Sequence, residues 1–151
     1  MGKKVAESAD DGDDVGALND ILGFHIRLAH GAAYRHFMET FADLGLTQKQ
    51  VSALWLIADH PGIGQSDLGR LLQMDRATVM AIINRLAARG YVERKDDRGD
   101  ARRRILSLLP QGAAALEQAK AAIRTNEDWL KARFTKREVT QLISLLARIH
   151  E

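Results

Sequence analysis

The sequence predicts a mainly α-helical protein with one small β-hairpin, and three observations lead to this prediction. Only two prolines, Pro61 and Pro110, occur among the 151 residues, which leaves long stretches free to be helical. Apolar residues recur at helical spacing along most of the chain. Residues 91–108 depart from that spacing, because two short β-type segments flank an arginine-rich loop that contains a glycine.

The N-terminal residues divide into an acidic tail and a long helical segment. Residues 1–14 carry two lysines against five acidic residues and show no apolar periodicity, so we expect a disordered tail. From Val15 to about Asp43, the apolar spacing predicts one long helix. The apolar positions that carry this prediction are Leu18, Ile21, Leu22, Ile26, Ala29, Ala33, Phe37 and Phe41.

Start and stop signals bound the second helix. Gly45 suits the end of the first helix, and Thr47 with Gln50 three residues later forms a capping box. The second helix is therefore predicted from Thr47 to about His60, because Pro61 follows and ends it.

Two shorter helices and the hairpin come next. A helix is predicted over residues 65–72, and Asp75 is placed to cap another that runs to about Arg89. Gly90 suits a left-handed terminator of that helix. The hairpin consists of predicted strands at residues 91–94 and 104–108 around a loop at residues 96–103.

The C-terminal part of the chain predicts two more helices. Pro110 suits the first turn of a helix that reaches about Leu130, with Ala, Leu and Ile at helical spacing. Thr135 and Glu138 form a second capping box, which opens the final helix.

Two short helices followed by a hairpin is the order of a helix-turn-helix with a β-hairpin wing. The apolar side of the second short helix is predicted to face the core. Its exposed first turn presents Arg76 and Thr78, residue types that pair with guanine, thymine or phosphate. The alternative is that Arg76 is only a solvated first-turn residue. The candidate DNA-contacting residues of the two helices are Gln65, Ser66, Asp75, Arg76, Thr78, Met80, Ala81, Asn84 and Arg85.

The wing loop combines arginines with aspartates. Residues 85–104 carry seven arginines and one lysine against four acidic residues, which favours a surface for a polyanion. The aspartates predict charge-assisted hydrogen bonds that hold an arginine in one direction, as entry into a narrow minor groove requires. A solvated charged loop is the alternative. The candidate wing residues are Arg98, Asp100, Arg102 and Arg103.

These motifs together resemble the MarR family of transcriptional regulators, over nearly everything after the tail. The residues that carry the resemblance are Leu46, Thr47, Gln50, Leu54, Gln65, Asp67, Leu68, Thr78, Val79, Asn84, Arg85, Leu86, Gly90, Tyr91, Val92, Arg94, Asp97, Asp100, Arg102, Leu108 and Gly112.

The resemblance implies a winged helix-turn-helix with N- and C-terminal dimerisation helices in one domain, and therefore an obligate homodimer. The domain covers residues 15–151, with dimerisation helices at residues 15–44 and 110–151 and the DNA-binding lobe at residues 45–109. The resemblance also implies that Arg102 is the minor-groove arginine and Asp100 its orienting partner. The chain departs from the family pattern at Gly99, where relatives often have arginine, and at Ala81, which is often basic.

The family resemblance further implies a small-molecule effector in the crevice between the dimerisation helices and the winged lobe. Imidazole, guanidinium and aromatic groups together suit an anionic aromatic acid or an acyl-CoA thioester. Each residue has the alternative of a plain surface or core role. The candidate effector-binding residues are His25, Arg27, His30, Tyr34, Arg35, His36 and Trp55.

The sequence therefore predicts a cytoplasmic, ligand-responsive regulator that binds a double-stranded operator, a repressor of genes handling aromatic compounds. No cofactor, metal or membrane partner is expected, since cysteine is absent, His36 and Glu39 are a lone i,i+3 pair, and no apolar run reaches ~18 residues. Two alternatives stay open. One is a winged-helix protein-interaction module without specific DNA readout. The other is a small enzyme using the first-helix histidines as acid–base groups.

Overall fold

The computed structural model describes residues 14–151, and that part of the chain contains six α-helices and one antiparallel hairpin. The mainly helical class with a hairpin wing is confirmed. The elements are α1 (Leu22–Phe41), α2 (Gln48–Asp59), α3 (Gln65–Leu72), α4 (Arg76–Ala88), β1 (Val92–Asp96), β2 (Arg104–Leu108), α5 (Pro110–Lys131) and α6 (Lys136–His150). The predicted disordered tail lies outside the described residues, except for Asp14.

The single helix predicted from Val15 to Asp43 is wrong in its extent. A 3₁₀ turn spans Gly16–Asp20, Ile21 is extended, and a second 3₁₀ turn, Ala42–Leu44, follows α1. Asn19 and Asp20 explain the break before α1, because short polar side chains favour turns over helix interiors. The ring of His25 satisfies the carbonyl of Asn19, with Nε2 2.7 Å from that oxygen.

Contacts among the described residues form two units, residues 14–34 and Arg35–Glu151. The domain boundaries expected at residues 44/45 and 109/110 stay a prediction. The hydrophobic core belongs to the second unit.

The predicted caps are present. The Thr47 hydroxyl accepts the N–H of Gln50, while the Gln50 side chain accepts the N–H of Thr47, and Thr135 makes the same box with Glu138. Gly45 ends the preceding turn in the left-handed region, with φ of 60°. Local sequence thus defines where α2 and α6 begin.

The core of residues 35–151 lies where α2, α3, α4 and α5 meet the hairpin. The apolar side of α4 was predicted to face the core, and this is confirmed, because the four apolar residues on that side are all buried. Leu54, Leu68 and Leu106 are fully buried and join α2, α3 and β2. The buried residues of α4 are Val79, Ile82, Ile83 and Leu86.

The hairpin pairs Val92 with Leu108 and Asp96 with Arg104. It is also fastened to the residues just before α3, since Leu106 donates its N–H to the carbonyl of Ile63 at 2.9 Å. The loop between the strands is residues 97–103. These contacts place the arginine-rich loop beside α3 and α4. Within residues 14–151, no helix has the length and apolar character to cross a membrane.

Candidate nucleic-acid interface

The N-terminus of α4 is held by two hydrogen bonds that Thr78 donates to Asp75. Asp75 Oδ1 accepts the backbone N–H of Thr78 at 2.8 Å, and Oδ2 accepts its hydroxyl at 2.7 Å. The hydroxyl bond first, and then the backbone bond, lowers the pKa of Asp75 below its ordinary value. The Thr78 hydroxyl is therefore engaged within the cap, and the ionised Asp75 stabilises the start of the helix.

The outer side of α4 is fully separated from the core. Arg76, Met80, Ala81, Asn84 and Arg85 are all exposed, whereas the intervening apolar residues are buried. This division follows from the 3.6-residue period of the helix. The exposed side, with Arg76 in the first turn, is the surface that a recognition helix presents to a major groove.

A cleft of about 850 Å³ lies between α3, α4 and the wing, which we define as residues 92–108. We call it the basic cleft, because six arginines line it against two aspartates, Asp67 and Asp100. The arginines are Arg70, Arg76, Arg94, Arg102, Arg103 and Arg104. Such a concentration of cations suits a phosphate backbone.

The basic cleft collects most of the residues that the sequence singled out for DNA contact. Those lining it are Gln65, Ser66, Arg76, Met80, Asn84, Asp100, Arg102 and Arg103. Those that do not line it are Asp75, Thr78, Ala81, Arg85 and Arg98. DNA contact by the residues of both groups stays a prediction.

Arg94 is a cleft residue that the sequence analysis did not place in the site. Its Nη2 donates to Asn84 Oδ1 at 2.6 Å, and its Nε donates to Gln65 Oε1 at 3.4 Å. One guanidinium thereby joins β1 to both α3 and α4. The available signal was strand alternation, because Arg94 lies two residues from buried Val92 and so shares its inward face.

The arginine whose side chain is held by aspartates is Arg103, which corrects the expectation that Asp100 orients the Arg102 guanidinium; the minor-groove role of Arg102 stays a prediction. Arg103 Nη2 lies 2.9 Å from Asp67 Oδ2, and Nη1 lies 3.8 Å from Asp97 Oδ2. The guanidinium also covers Gly64, where a Cβ atom would come within 2.9 Å of Nε. Arg103 therefore connects α3 to the wing loop.

Asp100 acts on the main chain of the wing rather than on a guanidinium. Its Oδ1 accepts the backbone N–H of Arg102 at 2.9 Å, and its carbonyl accepts that of Arg103 at 2.9 Å. Among residues 14–151, no ion pair involves Arg102. Asp100 thus shapes the turn from which the exposed Arg102 side chain projects.

The effector candidates within residues 14–34 make local contacts. His25 bonds to the carbonyl of Asn19, as described above. The Arg27 guanidinium lies 5.3 Å from the Phe24 ring centroid, and the rings of His30 and Tyr34 stack at 6.1 Å. None of these contacts reaches beyond one or two helical turns.

Two of the three effector candidates within residues 35–151, His36 and Trp55, lie against α5. The His36 ring stacks on Trp129 at 4.0 Å with an angle of 8° between planes, and its Nδ1 lies 2.6 Å from Asn126 Oδ1. The Nζ of Lys120 lies 5.0 Å from the half-buried ring of Trp55. Arg35 is exposed. None of the seven candidates lines the basic cleft.

Trp129 is an aromatic residue that the sequence analysis did not assign. Beside the stacked His36, the Arg133 guanidinium lies 3.9 Å from its ring centroid. Periodicity gave no signal for it, because Trp129 falls near the polar end of α5. In the part of the chain that is described, no three His, Asp or Glu side chains cluster in a way that would hold a metal ion.

The helix-turn-helix, its wing and the basic cleft define a winged-helix DNA-binding protein. The chain belongs to the MarR family, whose model matches residues 44–103, and it is a DNA-binding transcriptional regulator of that type. A transcriptional regulatory protein assigned to the hcr operon of Thauera aromatica is 32% identical over 136 residues, which cover 89% of this chain and 82% of that protein.

Two further relatives extend the comparison. The structure of a transcriptional repressor, CouR, bound to a 23-mer DNA duplex is 30% identical with a TM-score of 0.87, and the match covers 92% of this chain and 99% of that one. The homoprotocatechuate degradative operon repressor of Escherichia coli is 26% identical over 129 residues, covering 85% of this chain and 87% of that protein.

Proposed function

We propose that this protein is a ligand-responsive repressor that binds a pseudo-palindromic operator as a homodimer. The observation that carries the proposal is the basic cleft, where the outer side of α4 and the wing face the same space with six arginines. The similarity to a repressor bound to a DNA duplex supports the same assignment. Two copies related by a two-fold axis would read half-sites about one helical turn apart.

Each part of the cleft has a place on such an operator. The first turn of α4 offers Arg76 to base edges in the major groove, where arginine pairs bidentately with guanine. The exposed Arg102 suits an adjacent minor groove, because its guanidinium is charged and projects from a turn fixed by Asp100. Arg70 and Arg104, which are exposed and line the cleft, suit phosphates, which position the protein without specifying sequence.

Exposed apolar residues support the homodimer. α6 has no buried residue, and Ile143 and Ile149 expose 61% and 62% of their surface. In residues 14–34, Leu22 is 71% exposed. Apolar stripes of this kind on helices mark interaction surfaces, and covering them with a second copy would remove them from water.

An aromatic or otherwise anionic effector is the third part of the proposal. The stack of His36, Trp129 and Arg133 brings an imidazole and a guanidinium together on one indole ring, a combination of groups that suits an aromatic carboxylate or an acyl-CoA thioester. The homoprotocatechuate operon repressor among its relatives supports this class. Such an effector releases DNA only if it binds the DNA-incompetent state more tightly.

A mobility-shift titration with the duplex upstream of the protein's own gene tests DNA binding. We expect a specific complex whose affinity falls steeply with salt, and a large loss of affinity for Arg76→Ala. Arg124→Ala is the matched control, since it removes the same charge from an exposed position of α5 that does not line the cleft. Binding that ignores sequence and salt, or equal losses in both variants, would contradict the proposal.

Tryptophan fluorescence tests the effector. In Trp55→Phe, Trp129 is the only tryptophan, so its emission reports on the stack with His36. We expect benzoate, homoprotocatechuate or benzoyl-CoA to change that emission and to dissociate the operator complex. His36→Ala should weaken the response, whereas His60→Ala, at the exposed end of α2, should not. An unchanged emission and complex with all three probes would exclude this effector class.

A further inference from the structure

The side-chain amides of Asn84 and Gln65 are held in one orientation by Arg94. An amide has an oxygen that accepts and a nitrogen that donates, and the two are told apart by their hydrogen-bond partners. The guanidinium of Arg94 only donates. Since Nη2 lies 2.6 Å from the Asn84 side chain and Nε lies 3.4 Å from that of Gln65, both oxygens must face Arg94.

The two amide nitrogens consequently point away from Arg94. Asn84 is exposed and lines the basic cleft together with Gln65, so its free N–H groups are available to a ligand in that cleft. A free asparagine reads adenine with both its oxygen and its nitrogen. Because a charged donor engages one lone pair of the Asn84 oxygen at 2.6 Å, Arg94 competes with a base for that oxygen, whereas the N–H groups meet no such competition.

We propose that Arg94 is a positioning residue that sets base preference by turning Asn84 and Gln65 into hydrogen-bond donors. This inference rests on the proposed function. At the base pair that Asn84 reads, an amide that presents its N–H groups matches guanine, whose major-groove edge carries two acceptors, or thymine O4. It disfavours adenine, whose exocyclic amino group needs an acceptor.

The position of Arg94 in the fold allows it to hold both amides at once. The guanidinium sits at the junction of β1, α3 and α4, on the inward face of β1 opposite fully buried Leu106. Its neighbour on the outward face, Lys95, pairs with Glu93 at 2.7 Å and does not line the cleft. Lys95→Met is therefore a matched control, which removes one charge from the same strand.

Selection from a random-sequence duplex library tests the proposal, with the full-length wild type, Arg94→Met, Asn84→Ala and Lys95→Met at one salt concentration. The base pair read by Asn84 is the one whose preference disappears in Asn84→Ala. There we expect guanine or thymine for the wild type and for Lys95→Met. Arg94→Met should shift the ratio of adenine to guanine by about tenfold, since a good bidentate pair discriminates by that order.

If Arg94 and Asn84 acted independently, Arg94→Met would change base preference by the same factor with or without Asn84. If Arg94 acts through Asn84, Arg94→Met has no effect on that base pair in an Asn84→Ala background. Unchanged base preference in Arg94→Met, or no position sensitive to Asn84→Ala, overturns the proposal and leaves DNA binding intact. Should Arg94→Met fail to fold, the wild type still decides, because adenine at the Asn84-sensitive position contradicts readout through the N–H groups. A wild type that enriches no sequence refutes the proposed function itself.

Discussion

Arg103 of the wing and Asp67 of α3 form an ion pair, with Nη2 2.9 Å from Oδ2. Their side chains are 47% and 45% exposed, so the pair contributes only about 0.2–1 kcal/mol to stability. Its main consequence is positional and electrostatic. The carboxylate of Asp67 fixes the wing against α3, and it also occupies an arginine that would otherwise be available to a phosphate.

Asp67→Asn is therefore expected to change the salt dependence of DNA binding. Once released, Arg103 can neutralise a phosphate, and each such contact steepens the slope of log affinity against log salt by about 0.9. Titrations at several salt concentrations measure this slope. Asp43→Asn, an exposed aspartate in the turn after α1, removes the same charge outside the cleft and serves as the control. An unchanged slope in Asp67→Asn would mean that Arg103, which Asp97 also holds, gains no phosphate contact.

Arg102→Ala should separate DNA readout from a protein-interaction role. The Arg102 side chain is exposed and lines the cleft, so removing it should cost about 1–3 kcal/mol of operator affinity per wing, with little effect on thermal unfolding. Arg98→Ala, on the same loop but outside the cleft lining, should lose less. Full operator affinity in Arg102→Ala would mean that Arg102 does not contact the operator, whereas lost operator affinity would contradict a module without specific DNA readout.

Local signals in the sequence predicted most of the fold, and they did so for a physical reason. The capping boxes at Thr47 and Thr135, the cap at Asp75 and the apolar side of α4 each depend on residues within one or two turns. The break at Ile21 was missed because helical periodicity continues across it, although the backbone there is extended.

The contacts of the candidate site were harder to predict, since they join residues distant in sequence. Arg94 lies 29 residues from Gln65, and Arg103 lies 36 residues from Asp67. Which of two neighbouring arginines meets an aspartate depends on how the hairpin packs beside α3, and the bridge between Gly64 and Ile105 determines that packing. Sequence could identify the arginine-rich loop, but not its internal pairing.

Asp75→Asn is expected to reduce the acid sensitivity of folding. The hydroxyl and backbone bonds from Thr78 lower the pKa of Asp75, so its ionised form stabilises the native state above the ordinary aspartate value of about 3.9. That stabilisation is lost as the pH falls through the lowered pKa. Asparagine caps a helix without titrating. Thermal unfolding at pH 7, 5 and 3 should show wild type and Asp75→Asn converging at the lowest pH, and parallel curves would contradict this.

Ile143→Glu should dissociate the proposed homodimer. Ile143 is 61% exposed in one copy, and a charge there would have to be buried if a second copy covers α6. Sedimentation equilibrium should show a shift to monomer, with operator affinity lowered in parallel. Gln141→Glu adds the same charge at an exposed polar position of α6 and should stay dimeric. If Ile143→Glu stayed dimeric as Gln141→Glu does, the interface would not include Ile143.

Gly112→Ala should destabilise the protein, because the added Cβ atom would clash with the backbone of Tyr91. Gly112 is buried in the first turn of α5, and an added Cβ atom would lie 2.1 Å from the carbonyl oxygen of Tyr91. That oxygen also accepts the N–H of Leu109 at 2.9 Å, so it cannot move without breaking the junction between the hairpin and α5. Overpacking of this kind typically costs about 1–3 kcal/mol, measurable by denaturant unfolding.

Gly23→Ala is the matched comparison and should have the opposite sign. Gly23 lies in α1, and a Cβ atom built there meets nothing within 4 Å. Alanine in a helix restricts the unfolded chain more than glycine does, so this variant should gain about 0.5 kcal/mol. If Gly112→Ala were as stable as Gly23→Ala, the close approach of α5 to Tyr91 would be wrong. The wing would then lack the fixed junction on which the alignment of Arg94 and Arg103 with α3 depends.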